Sequence, residues 1–155
     1  MKHAKTYKFG LTCALVVAYI ALRIPGIADT CLWFDEIFSV HAAEQPLSWL
    51  FSFVALDLIH PPLSYLLLKL WIGVGGEYLF WVRALPVLVS VIAIFPFISL
   101  CRELKLPFWT RTLALFFFVI NGSLIKYSQE VRMYSLLMCL SLFSMWLFVR
   151  YFIKG

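Results

Sequence analysis

The chain has 155 residues, 63% of them hydrophobic and only 14% charged, with a mean hydropathy of +0.92. Soluble domains sit nearer half apolar and a quarter charged, so this composition excludes an ordinary soluble domain and implies an integral membrane protein. The net charge of +5 is not a nucleic-acid footprint, because Lys and Arg in a membrane protein record which span ends face the cytoplasm.

A span needs about 20 apolar residues. The first such run is Phe9–Ile27. Its basic start also fits a cleaved signal peptide, but the run is long for that purpose and "GIADTC" offers no A-x-A site, so a retained span is expected. A less apolar region follows, from about Ala28 to Phe80. Within it "DEIFSVHAAEQ" predicts one short helix and "PLSWLFSFVALD" another, with Pro46 suited to its first turn. Pro62–Val74 is apolar but short and carries Lys69, which favours an interfacial or re-entrant segment over a crossing. Three further runs, Trp81–Leu100, Phe108–Ile125 and Met133–Tyr151, are long enough to span.

Charge sets the sidedness. If Pro62–Val74 does not cross, Lys2, Lys5, Lys8, Arg102, Lys105, Arg111, Arg150 and Lys154 all share one side. Asp29, Asp35, Glu36, Glu44, Asp57, Glu77 and Glu130 then share the other. The positive-inside rule favours this arrangement over its alternative. The expected fold is therefore all-α and membrane-integral: a single domain over 1–155 with four transmembrane helices, two or three juxtamembrane helices in a large outer loop (28–80), and both termini cytoplasmic. Trp33, Trp49, Trp71 and Trp81 fall on the outer side, where indoles favour the headgroup region. The four Cys show neither metal-type nor paired spacing, so no disulfide framework is expected.

Three stretches on the outer side could carry chemistry. "LWFDEIFSV" sets Asp35 and Glu36 behind an aromatic pair; they serve either a helix N-terminus, where the dipole favours acids, or a reaction at the membrane surface. "LDLIHPPLSYLLLKLW" sets His60 before two prolines, either as a rigid entry corner or as a fixed imidazole able to bind a metal or a phosphate. "KYSQEVRMYS" carries Lys126, Glu130, Arg132 and Tyr134 at the entry to the last span, as snorkelling charges or as a catalytic rim. Arg23, Arg83 and Arg132 run against the positive-inside trend. Asp35, Glu36, Glu130 or a lipid phosphate must compensate them. "NGS" at Asn121 matches a glycosylation sequon but lies against an apolar run.

Together, "WFDE", "HPPLSYLLLKLW" and "YSQEVRMYSLL", in this order, resemble the N-terminal part of polytopic glycosyltransferases of the C-type fold, which include the protein O-mannosyltransferases and the lipid A aminoarabinose transferases. The resemblance covers nearly the whole chain. It implies transfer of a sugar, with inversion, from a polyprenyl-phosphate donor to an acceptor on the outer membrane face. It further implies Asp35 as the general base, Glu36 as its usual neighbour and Glu130 as the acid of the second outer loop. His60 falls near the carrier phosphate or a divalent metal ion, the one cofactor left open. Charge logic adds Arg83 and Arg132 as phosphate clamps, with Tyr134 beside them among the substrate-binding residues. The expected partners are the polyprenyl-phosphate-sugar donor, the lipid bilayer and an acceptor of unspecified kind, with no nucleic acid. Family members usually carry many more spans, so the chain alone is expected to lack transferase activity. Two other readings stay open: a non-catalytic membrane subunit or lipid-binding scaffold, and a transporter fragment.

Overall fold

Apolar length dictates most of the helices. A computed structural model describes the backbone of residues 2–57 and 61–153, and the side chains of 6–52 and 61–152. The described residues are all-α, with no strand among them. The order is α1 (Lys2–Ala21), α2 (Phe34–Glu44), α3 (Leu47–Asp57), α4 (Pro62–Gly75), α5 (Leu79–Ile92), α6 (Ile94–Glu103), α7 (Phe108–Ile120), α8 (Gly122–Ser128) and α9 (Tyr134–Phe148), which ends in a π-helical turn, Val149–Ile153. His60, expected near a phosphate or a metal, lies outside the described residues.

Among the described residues two helices are long and apolar enough to cross a membrane: Leu79–Glu103, 25 residues, and Tyr134–Phe152, 19 residues. The first joins α5 and α6 through Ala93, where Pro96 has no N–H to return to the Ile92 carbonyl. α7 and α8 pass the same test only as a pair, bent by 55°. The bend sits at Asn121, whose extended backbone stops α7 and whose Oδ1 accepts the Leu124 N–H at 3.0 Å to cap α8. Thr6–Ala21 and Pro62–Gly75 are shorter apolar helices. α1 stops six residues before the expected end of the first run, because Pro25 and Gly26 (φ 77°) turn the chain. Only 11% of the apolar window of Tyr134–Phe152 is buried, and side chains such as Phe116, Leu137 and Phe148 face outward. Long helices that turn apolar surface outward fit association with a membrane.

α1, α5–α6, α7–α8 and α9 alternate in direction between two chemically distinct ends. Lys8, Arg102 and Arg111 meet at one end; Arg83, Glu36 and the bend after α8 meet at the other. Tyr19, Ile94, Leu115 and Val119 form the core between α1, α6 and α7. Nearer the acidic end, Val40, Ala43, Leu68, Val82 and Val131 pack α2 and α4 against α5. Lys69, the charge inside the short apolar run, extends from α4 to the C-terminus of α2. Its Nζ donates to the carbonyls of Ala43 (3.0 Å), Glu44 (3.4 Å) and Gln45 (2.7 Å), groups that the helix itself leaves unpaired.

Candidate functional site

Asp35 and Glu36 occupy the first turn of α2, where the helix dipole favours carboxylates. Successive side chains on a helix diverge by about 100°, so two adjacent acids cannot share one environment. Glu36 points inward and is completely buried. Its Oε2 accepts the Trp33 N–H (3.2 Å) and an Arg83 Nη2 hydrogen (2.7 Å), and its Oε1 accepts from Arg83 Nε (3.0 Å) and the Val131 N–H (3.0 Å). Arg83 uses its remaining donors on the carbonyls of Ile27, Thr30 and Cys31. This pair bolts α2, α5, the loop after α1 and the bend after α8 into one block.

Asp35 instead keeps 37% of its side chain exposed. Arg132 faces it: Nη2 lies 3.7 Å from Asp35 Oδ2, and Nη1 donates to the Asp35 carbonyl at 3.4 Å. The bend that presents Arg132 is held at two points before it. Val131 is tied to Glu36, and the Gln129 amide donates to the carbonyls of Arg23 (3.0 Å) and Pro25 (2.8 Å).

Glu130 lies in the same bend and is nearly buried. Its Oε1 is 3.8 Å from Lys126 Nζ, while Oε2 has no hydrogen-bond partner among the described residues. Burial pushes its carboxyl above the ordinary value; Lys126 pulls it back, and the Glu36 charge pushes it up again. Tyr134 turns its ring onto Tyr127, with centroids 4.8 Å apart.

Arg132 also lines a cavity of about 40 Å³ whose other polar walls include Ser39, Ser64, Tyr65 and Ser135. The cavity shares Leu67, Leu85, Val89 and Leu136 with a larger open groove of about 440 Å³, lined otherwise by apolar side chains such as Val74 and Ile92. Arg132 thus stands at the head of an apolar channel along α4, α5 and α9, with its half-exposed partner Asp35 beside it and outside the channel's walls. Chemically, that arrangement offers a proton acceptor, an anion contact and a berth for a hydrocarbon chain.

Of the residues singled out in the sequence, Asp35, Glu36, Arg83, Glu130 and Arg132 come together. The serines and Tyr65 of the cavity were not anticipated. Ser39 carried a signal, since it follows Asp35 by four residues and donates to its carbonyl at 2.9 Å. Arg23, the third arginine expected on the outer side, meets no carboxylate among the described residues; its guanidinium lies over the Tyr19 ring, 3.3 Å from the centroid, and donates to the Tyr19 carbonyl. Among the described residues no three His, Cys, Asp or Glu side chains gather in a way that could hold a metal ion. No family model, curated protein or solved structure matches the chain.

Proposed function

We propose that the chain forms part of a membrane-embedded glycosyltransferase that receives a polyprenyl-phosphate-linked sugar and transfers the sugar to an acceptor at the outer membrane face. The observation that carries this reading is Arg132, which lines the head of the apolar channel and pairs with half-exposed Asp35 outside it. A hydroxyl acceptor is a poor nucleophile and needs a carboxylate to take its proton as the new bond forms; Asp35, the exposed member of the acidic pair, has that role. The departing lipid phosphate gains negative charge, which Arg132 stabilises in a partly dry site. The isoprenoid tail follows the groove between α4, α5 and α9. Glu130 shapes the field around Arg132, and Glu36 and Arg83 hold the scaffold on which Asp35 and Arg132 meet.

In this reading the four apolar runs cross the bilayer, both termini are cytoplasmic, and the Asp35 end is outermost. The separation of acidic and basic ends along alternating helices supports that topology. The ordered resemblance of the three motifs to the C-type glycosyltransferases supports the reaction class.

The test is binding of polyprenyl monophosphate, against uncharged polyprenol, to the purified chain. Preference for the phosphate is expected, with Arg132→Gln removing about tenfold of it, as befits a charge-assisted contact. Asp35→Asn is expected to leave that preference intact and to cut transfer by roughly 10²–10⁴-fold in any preparation that turns over. Equal binding of polyprenol and its phosphate would overturn the reading.

A further inference from the structure

A second cavity, of about 290 Å³, opens at the opposite end of the bundle between α1, α6 and α7. Lys8, Arg102 and Arg111 converge on it from three helices, and no acidic residue is among its described walls. Three like charges around one space repel one another, so an anion there is favoured. Arg111 Nε is buried without a hydrogen-bond partner among the described residues. α7 begins at this cavity with Phe108. Its N-cap is Pro107, which supplies no side-chain acceptor, so the first-turn amides and the positive end of the helix dipole add to the field. The hydroxyls of Thr12 and Thr112 donate within their own helices, to Lys8 O and Phe108 O, so the cations carry the recognition. The remaining walls, among them Phe9, Phe97 and Leu115, are apolar.

We propose that this cavity binds the phosphate of an anionic phospholipid headgroup from the leaflet opposite Asp35. Guanidinium groups match phosphate oxygens in bidentate geometry, and the apolar walls suit the first methylenes of the acyl chains. A free phosphate shares the headgroup's chemistry but would leave those apolar walls unused. The site stands apart from Asp35 and Arg132 and does not depend on the transferase reading. Bound lipid would brace α1 against α6 and α7 at the end where three cations otherwise force them apart.

The experiment follows the melting temperature of the full chain in neutral detergent micelles during titration with phosphatidylglycerol, phosphatidylcholine or inorganic phosphate. Phosphatidylglycerol is expected to raise it saturably, with the other two having little effect at equal concentration. Arg102→Gln and Arg111→Gln are each expected to raise the half-saturating phosphatidylglycerol concentration about fivefold. Lys105→Gln, which removes an exposed charge beside the cavity and outside its walls, is expected to change it less than twofold. Arg102 is exposed, so its variant keeps the test readable if Arg111→Gln fails to fold. Equal stabilisation by phosphatidylcholine, an equal loss in Lys105→Gln, or inorganic phosphate matching phosphatidylglycerol would each overturn the proposal.

Discussion

Arg83 Nη2 lies 2.7 Å from Glu36 Oε2, and the two side chains are 8% and 0% exposed, so the ion pair is closed to water. Each partner is also saturated by backbone groups from other segments. Removing one partner strands a buried charge, which typically costs roughly 3–5 kcal/mol, whereas replacing both with apolar groups of similar size is far milder. Glu36→Ala and Arg83→Met are each expected to unfold the chain at markedly lower denaturant in detergent. The double variant Glu36→Leu/Arg83→Met should recover part of that loss. Single and double variants with additive losses would show that the pair is not coupled.

Lys69 makes a separate prediction, because its ammonium caps α2 and pairs with no acid among the described residues. Lys69→Met keeps the apolar stem and removes three hydrogen bonds to the Ala43, Glu44 and Gln45 carbonyls. Hydrogen bonds from a charged donor contribute about 1.5–3 kcal/mol, and the lost contacts share carbonyls that water can partly serve. A loss of about 2 kcal/mol is expected by chemical denaturation, with hydrogen exchange accelerating first at the end of α2.

Glu130 makes stability depend on pH in a defined direction. The folded state raises its carboxyl value, chiefly by burial, so folding favours the protonated acid. The unfolded chain loses that proton first as pH rises. Stability associated with this group is therefore full below the ordinary carboxylate value and is lost as pH climbs through the raised folded value. Glu130→Gln carries no such proton. Its stability should exceed that of the unsubstituted chain at neutral pH, with the difference shrinking towards acid in melting curves taken across the window.

The all-α character and the long apolar helices were legible because apolar length is a signal carried by many residues. The bent α7–α8 pair was not: Phe108–Ile125 reads as one uninterrupted run until Asn121 is seen to cap a new helix. The end of the first run was misjudged for a related reason. Ile24 and Ile27 extend the apolar pattern past Pro25 and Gly26, yet the backbone has already turned. At the candidate site, charge logic asked for an acid or a lipid phosphate to answer Arg23, Arg83 and Arg132. Acids meet the last two, while Arg23 rests on the Tyr19 ring and backbone carbonyls. That logic did not foresee which acid meets which arginine, since the pairs span 47 and 97 residues of sequence. The difference between Asp35 and Glu36 is a matter of helix rotation, and adjacent letters conceal it.

The turn between α4 and α5 gives the last prediction, in which two neighbouring glycines respond with opposite signs. Trp71 and Trp81 stack with centroids 4.3 Å apart, and each indole N–H donates to the other residue's carbonyl, at 2.7 and 2.8 Å. A Cβ on Gly75 would collide with the Trp81 indole, whereas one on Gly73 would meet nothing within 4 Å. Both glycines are in α4, where alanine is the better helix former by about 0.5–1 kcal/mol. Gly73→Ala should therefore stabilise the chain by roughly that amount. Gly75→Ala should destabilise it by about 1–3 kcal/mol, because the indole pair must separate to admit the methyl group. Near-ultraviolet circular dichroism of the coupled indoles separates the two outcomes: the signal should persist in Gly73→Ala and fall in Gly75→Ala. An unchanged signal in both would mean that the turn yields without parting the rings.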